Sequence, residues 1–210
     1  DSCGMAIIFH GTLDLRKNVG GIDEANSMEK FDQMEGFIGI AHTRWATHGG
    51  VNRENAHPHI SNNSQFAIVH NGIISNYQEL REELITKGVV FKSMTDTEVF
   101  VNLIEDSYLL SNDLEEAFLN SIQQIKGSFS IVMLSLHDPN HLYCVKNESP
   151  LLIGLGEDCN YVGSDLYAFS EYTKKAIVLD DGEYVILGKN NYQIRKVKTR
   201  KLIKKKVLKI

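Results

Sequence analysis

Three central segments of the chain carry hydrophobic residues at the three- and four-residue spacing of an amphipathic helix. Each begins with Ser, Thr or Asp followed three residues later by Gln or Glu, a pattern typical of a helix N-terminus. Gly88 follows the first segment and Gly127 the third, and both predict helix ends. The predicted starts lie at residues 75–78, 95–98 and 113–116.

Short hydrophobic runs, separated by Gly, Pro, Asn and Asp, predict strands on both sides of these helices. The strands cluster toward both ends of the chain, which favours antiparallel sheets over parallel βαβ units. The sequence therefore predicts an α+β fold of layered sheets with helices outside. The predicted strands span 5–9, 37–42, 65–70, 128–136, 142–146, 151–155, 161–164, 176–179, 183–187 and 192–197.

Length and composition fit an ordinary globular protein. The 210 residues, 42% hydrophobic and 23% charged, suffice for one large domain or two small ones. No apolar run approaches the roughly 20 residues of a membrane span, and no signal peptide opens the sequence. Three scattered cysteines are too few for a disulfide framework. We therefore expect a cytoplasmic protein without a membrane partner.

The end of the sequence is strongly basic. Residues 195–210 contain nine Lys or Arg and no acid. Such a tail is compatible with nucleic-acid binding, but no aromatic residue interleaves the lysines to stack on bases. We therefore predict a terminal strand that continues into a solvated basic linker, without a nucleic-acid partner.

Polar chemistry is concentrated between residues 42 and 98, at predicted strand ends and helix starts. Arg44 offers a planar guanidinium for a carboxylate, and Asp96 a carboxylate for an ammonium, so the two would hold the ends of an α-amino acid. The amide of Asn71 and the peptide N–H of Gly72 would form an oxyanion hole. The sequence thus predicts a site that binds an amino acid and stabilises a tetrahedral intermediate.

Each of these residues also has a purely structural interpretation. Asp96 in a first helical turn complements the helix dipole, and Asn71-Gly72 is a common turn dipeptide. Trp45 would fit a hydrophobic core, and His57-Pro58-His59 a rigid polar loop. His-x-His also suggests metal ligands, but no carboxylate lies at ligand spacing nearby, so we expect no metal.

Four motifs in series resemble class-II glutamine amidotransferase domains, specifically the glucosamine 6-phosphate synthase branch. They are GIAHTRWATHG (39–49), NAHPH (55–59), VHNGII (69–74) and TDTEV (95–99). The resemblance runs from Asp1 to about Leu187 and implies the N-terminal-nucleophile hydrolase fold, two antiparallel sheets between helical layers. We expect the amidotransferase domain at 1–190 and, at 191–210, a strand and linker toward sugar-isomerase domains.

The resemblance also assigns roles to individual residues. Arg44 is similar to the ligand of the glutamine carboxylate, and Asp96 to the ligand of its ammonium. Asn71 and Gly72 resemble the oxyanion-hole pair of the family. Thr47 and His48 match positions that line the glutamine pocket of the family. Trp45 matches the tryptophan that gates the release of ammonia.

One departure from the family concerns the nucleophile, which is a cysteine at the mature N-terminus whose own amino group acts as the base. Cys3-Gly4 imitates that opening, but Asp1-Ser2 and Gly4 match an internal segment of the family in which Cys3 replaces an alanine. We therefore expect Cys3 to be a strand or turn residue, the nucleophile to lie upstream, and this polypeptide to be inactive as a glutaminase.

In the intact parent, the resemblance implies hydrolysis of L-glutamine to glutamate, with ammonia channelled to fructose 6-phosphate. It implies no metal or organic cofactor, and a homodimeric parent. Three alternatives remain open: another amidotransferase branch with a different acceptor, a non-catalytic amino-acid-binding module, and a nucleic-acid partner of the basic tail. The Trp45 and His-Pro-His motifs argue against the first.

Overall fold

The computed structural model describes residues 1–45 and 50–210, which form two compact units. The first unit comprises Asp1–Val69, Ile74–Lys126 and Met133–Pro139, and the second His70–Ile73, Gly127–Val132 and Asn140–Ile210. The helices are α1 (Ile22–Glu29), α2 (Tyr77–Thr86), α3 (Asp96–Ser111) and α4 (Leu114–Gln124). The strands are β1 (Ser2–Phe9), β2 (Thr12–Val19), β3 (Gly39–Arg44), β4 (His59–Ile60), β5 (Phe66–Ile74), β6 (Gly127–Ser135), β7 (Asp138–Asn147), β8 (Leu152–Leu155), β9 (Asn160–Gly163), β10 (Lys175–Val178), β11 (Glu183–Gly188), β12 (Tyr192–Lys196), β13 (Leu202–Ile203) and β14 (Leu208–Lys209).

The first unit opens with a three-stranded antiparallel sheet in the order β2-β1-β3. β1 pairs with β2 from Ser2 opposite Val19 to Phe9 opposite Thr12, and α1 packs on both strands. Neither β2 nor α1 was predicted. β2 is mostly polar and only half-buried, and α1 buries Ala25 alone. Both elements therefore lack the hydrophobic periodicity that a prediction requires.

The three predicted helices are present in the first unit, where α3 packs against α2, α4 and β4. Thr95 and Asp113 are N-caps as predicted, and their side chains accept hydrogen bonds from the backbone of Glu98 and Glu116. The capping box predicted at 75–78 is wrong. The N-cap of α2 is Asn76, whose side chain bonds the backbone of Gln124 and Lys126 and thereby joins two helix ends.

The second unit contains a four-stranded sheet in the order β14-β10-β8-β9, together with a ladder of β11 between β7 and β12. β5, β6 and β7 contribute residues to both units, and the hydrogen-bonding order of their seven-stranded sheet is β13-β12-β11-β7-β6-β5-β4. The basic tail contains β13 and β14, and Lys205 between them bonds Asp180 and Glu183. The predicted domain boundary near residue 190 stays a prediction.

The described ladders are antiparallel, so the predicted α+β class is confirmed. Cys3 is a buried residue of β1, as expected, and lies opposite Asn18 and Thr43. No helix in the described part of the chain is long and apolar enough to cross a membrane.

Candidate functional site

Arg44 is the last residue of β3, where it pairs with Ser2 of β1 and is buried. Burial lowers the pKa of its guanidinium below the ordinary arginine value, and the negative charge of Asp96 opposes that shift. The two predicted ligands of an amino acid therefore interact electrostatically within the first unit. A buried guanidinium beside a carboxylate is a strong electrostatic feature because the surrounding protein screens charge less than water does.

Asp96 is the first residue of α3, directly after the N-cap Thr95. Its Oδ2 accepts a hydrogen bond of 2.8 Å from the backbone N–H of Ile74, and its Oδ1 one of 3.4 Å from the hydroxyl of Thr97. The helix N-terminus also favours its negative charge. Backbone and side-chain donors thus fix the orientation of this carboxylate.

The loop before β4 bonds the residues on both sides of Asp96. Asn55 accepts a hydrogen bond from the Met94 N–H at 3.0 Å. The Nε2 atoms of His57 and His59 lie 3.3 Å from the Thr97 hydroxyl and 3.1 Å from the Thr95 hydroxyl. The conspicuous Asn-Ala-His-Pro-His motif therefore supports the start of α3, a role that the sequence did not reveal.

Three histidine rings lie close together at this loop, one pair tilted and the other edge to face. His42 and His57 have ring centroids 4.6 Å apart, and His57 and His59 are 5.0 Å apart. Burial, followed by the charge of Lys17, lowers the pKa of His59 well below its usual 6.5, so this ring is neutral at physiological pH. Among residues 1–45 and 50–210, no group of three or more His, Cys, Asp or Glu side chains is placed to hold a metal ion.

Asn71 and Gly72 lie on the part of β5 that belongs to the second unit. Gly72 has φ of +130°, and a Cβ atom there would overlap the carbonyl oxygen of Ser128. Both observations require glycine at this position, since no other residue would combine this backbone angle with such a close approach. The motif Asn-Gly is therefore part of a strand here and does not form the turn that the dipeptide often indicates.

The remaining predicted site residues belong to one short segment. Trp45 has 81% of its surface exposed, so it is not a core residue of the first unit. Thr47 and His48 lie outside the described residues. Burial raises the pKa of the Cys3 and Cys144 thiols, which disfavours the nucleophilic thiolate at both.

Comparison with known proteins relates this chain to one family. A family model described as a glutamine amidotransferase domain matches residues 42–171. The chain is 46% identical to a glutamine–fructose-6-phosphate aminotransferase (isomerizing) of Thermococcus kodakarensis, over 99% of the chain and 34% of the relative. It is 47% identical to the protein of the same name in Methanococcus maripaludis, over 92% of the chain and 33% of the relative. The chain thus spans about a third of these relatives.

A solved structure supports the same relationship. Glutamine phosphoribosylpyrophosphate amidotransferase from B. subtilis, complexed with ADP and GMP, superposes with a TM-score of 0.80 at 25% identity. The match covers 93% of this chain and 43% of that one. This similarity confirms the predicted fold class, that of the N-terminal-nucleophile hydrolases with helices and antiparallel sheets. Four ordered motifs, the fold and the matched family together show that this chain belongs to the glutamine amidotransferase domain family.

Proposed function

We propose that this chain is the glutaminase half of a glucosamine 6-phosphate synthase, which hydrolyses L-glutamine and passes the ammonia to fructose 6-phosphate. The observation that carries the proposal is the electrostatic interaction of a buried guanidinium, Arg44, with the fixed carboxylate of Asp96. An α-amino acid presents the complementary charges on adjacent groups. The names of the relatives support fructose 6-phosphate as the acceptor.

In the proposed mechanism, Arg44 binds the carboxylate of glutamine through its planar fork, and Asp96 binds the ammonium. The resemblance assigns the oxyanion donors to Asn71 and Gly72. These donors stabilise the negative oxygen that forms when a cysteine thiolate attacks the amide carbon. Ammonia leaves as the thioester forms, and water then releases glutamate.

The other assignments of the proposal rest on the resemblance. Thr47 and His48 complete the wall of the glutamine pocket, and Trp45 gates the departure of ammonia. The exposure of Trp45 suits a gate better than a core residue. The proposal assigns the thiolate to a cysteine other than Cys3, which is buried within β1 opposite Asn18 and Thr43. Sugar-isomerase domains of the same parent, in a homodimer, would receive the ammonia, and no cofactor takes part.

Calorimetry with truncated ligands tests the amino-acid clamp. Glutaramate lacks the ammonium of glutamine, and 4-aminobutanamide lacks the carboxylate. We expect Asp96→Asn to weaken the binding of glutamine and 4-aminobutanamide, and Arg44→Ala that of glutamine and glutaramate. Each loss should be at least about tenfold, since a hydrogen bond to a charged group contributes about 1.5–3 kcal/mol.

Asp106→Asn is the matched control, because Asp106 lies on the same helix as Asp96 and pairs with Lys87 at the surface. It should leave the affinity for all three ligands unchanged. If Asp96→Asn weakened the binding of glutaramate as much as the binding of glutamine, the assignment of Asp96 to the ammonium would be wrong.

A second experiment separates a glutaminase from an amino-acid-binding module. A glutamine-like diazoketone alkylates a catalytic thiol and increases the mass of the intact parent protein. Labelling that glutamine suppresses, together with fructose 6-phosphate-dependent amination, supports the proposed enzyme. Binding without labelling would support the module, and amination of another acceptor would support a different amidotransferase branch.

A further inference from the structure

Lys17 of β2 is held by three backbone carbonyl groups of the loop before β4. Its Nζ donates hydrogen bonds to the carbonyl oxygens of Glu54 at 3.2 Å, Ala56 at 2.6 Å and Pro58 at 3.1 Å. The three donors of an ammonium group are thereby matched to three acceptors. The loop is tied to β2 a second time, because Arg53 Nε donates to the carbonyl oxygen of Lys17 at 3.0 Å.

The ammonium of Lys17 acts here as an internal cation. Three carbonyl oxygens that converge on one point repel one another, and a positive charge between them offsets that repulsion. Burial lowers the pKa of Lys17 to about 8, so the group stays mainly protonated at neutral pH. Four charged neighbours also act on it: Glu98 and Glu54 favour the ammonium, whereas Arg53 and Lys92 oppose it.

The loop held by Lys17, together with His59 at the start of β4, bonds the start of α3. Asn55 bonds Met94, His59 bonds Thr95, and His57 bonds Thr97. These three contacts lie on either side of Asp96. The Thr97 hydroxyl donates its single hydrogen to Asp96 Oδ1. Its oxygen can therefore only accept a hydrogen bond from His57, so Nε2 is the protonated nitrogen of that ring. A continuous set of polar contacts therefore leads from Lys17 to the Asp96 carboxylate.

We propose that Lys17 is a positioning residue for glutamine binding, whose ammonium holds the 54–58 loop so that Asp96 faces the ammonium of the substrate. The inference rests on the proposed function and adds to it a residue that does not touch glutamine. A purely structural lysine would affect stability without discriminating between ligands that contain an ammonium and ligands that lack it.

Chemical rescue of Lys17→Ala tests this role. Alanine retains Cβ, and n-propylammonium matches the atoms that are removed. We expect the variant to bind glutamine about tenfold more weakly, because residues coupled to a binding site modulate affinity without touching the ligand. The affinity for glutaramate, which has no ammonium, should change by less than about twofold. Added n-propylammonium should restore glutamine binding in the variant and leave the wild-type protein unaffected.

Hydrogen exchange gives a readout that does not depend on glutamine. The Ile74 N–H donates to Asp96 Oδ2, so its protection reports the position of this carboxylate. We expect faster exchange of Ile74 in Lys17→Ala and recovery with n-propylammonium. Lys92→Ala is the matched control, because Lys92 lies near the same loop but its ammonium is exposed. If Lys17→Ala fails to fold, Lys17→Met keeps the length of the side chain without its charge.

The outcomes separate this inference from the function on which it rests. Absence of glutamine binding to the wild-type protein would contradict the proposed function. Unchanged Ile74 exchange in Lys17→Ala, or equal weakening of glutamine and glutaramate, would contradict the positioning role. Rescue of both Ile74 protection and glutamine affinity by n-propylammonium would support it.

Discussion

The interior of the first unit around the start of α3 differs in kind from the core of the second unit around β8 and β10. In the first unit, buried polar groups bond one another across long stretches of chain. Glu98 accepts hydrogen bonds from the backbone of Lys92 and Ser93, and Glu105 accepts them from Ser61 and Asn63. Both glutamates are only 5% exposed, so their carboxylates are largely shielded from water.

The core of the second unit is mainly apolar. Ile153 and Ile177 pair across β8 and β10 and are fully buried, and Phe169 packs against Gly154. Glu183 is the notable buried charge there, and it is held by Lys196 and Lys205. Shape complementarity specifies such a core, and it tolerates substitutions that conserve volume.

The difference shows where the fold fixes functional geometry. Hydrogen bonds are directional, so a polar interior holds its members at defined positions, whereas an apolar core fixes mainly volume. The polar interior surrounds Asp96 and the 54–58 loop. Substitutions in each unit test whether hydrogen bonding or shape specifies its interior.

Glu98→Ala should have the largest effect. It leaves the buried Ser93 N–H and the partly buried Lys92 N–H without their carboxylate acceptor, and an unsatisfied buried group costs about 1–3 kcal/mol. We therefore expect a loss of about 2–6 kcal/mol in the free energy of unfolding, measured by urea titration. Glu98→Gln retains one acceptor oxygen and should lose less. Equal losses in the two variants would show that hydrogen bonding does not specify this region.

Ile177→Ala makes the corresponding test in the second unit. Removing a fully buried side chain creates a cavity, and we expect a loss of about 2–5 kcal/mol by the same measurement. Ile177→Leu conserves the volume and should lose less than about 1.5 kcal/mol. A large loss in the leucine variant would mean that this core is as position-specific as the polar interior.

Acidification should destabilise the protein through His59. The pKa of His59 is held well below 6.5 in the folded state by burial, whereas the unfolded chain binds a proton near pH 6.5. Stability is therefore lost as pH falls below about 6.5, at up to about 1.4 kcal/mol per pH unit. His137, whose pKa is also lowered by burial, adds a loss of the same sign.

His59→Gln removes the titrating ring and keeps a donor toward Thr95. Unfolding free energies of both proteins, measured from pH 7.5 to 5, should converge as the pH falls. Parallel curves would exclude His59 as the source of the acid sensitivity. Burial raises the pKa of Glu183, but hydrogen bonds from the Asp180 N–H and two lysines outweigh burial and lower it, so its contribution is lost only as the pH falls from the usual carboxyl range toward the lowered pKa.

Lys196→Met should have the smallest effect. Its ammonium bonds Glu183 at 2.9 Å, but the lysine side chain is 45% exposed and Lys205 remains to hold the carboxylate. Exposed pairs contribute about 0.2–1 kcal/mol, and we expect a loss in that range by urea unfolding. A loss above about 2 kcal/mol would show that both lysines are required to keep this buried charge.

Much of the fold was predictable because its signals are local. The caps at Thr95 and Asp113 and the spacing of apolar residues indicated α3 and α4. β2 and α1 were missed because few of their residues are buried, and their stability comes from pairing and packing with β1. The start of α2 was predicted at Ser75, but its N-cap is Asn76. The local pattern could not show this, because the Asn76 side chain bonds residues about 50 positions away.

The candidate site was predictable in part. Arg44 and Asp96 were identified from charge and motif order, and the structure describes an electrostatic interaction between them. Lys17 carried no signal, because a lysine in a half-exposed strand is ordinary until its acceptors are known. The functional roles of all the predicted site residues stay predictions: Arg44, Asp96, Asn71, Gly72, Trp45, Thr47 and His48.

The family and the helices with strong caps could be read from the sequence, because motif order and neighbouring residues carry that information, and motif order also led to the prediction that Arg44 and Asp96 bind charged groups. That Lys17 is held by the 54–58 loop and that Gly72 approaches Ser128 followed only from the three-dimensional arrangement. These contacts join residues about 40 or more positions apart. Their energy depends on distance and direction in space, which no local pattern of residues encodes.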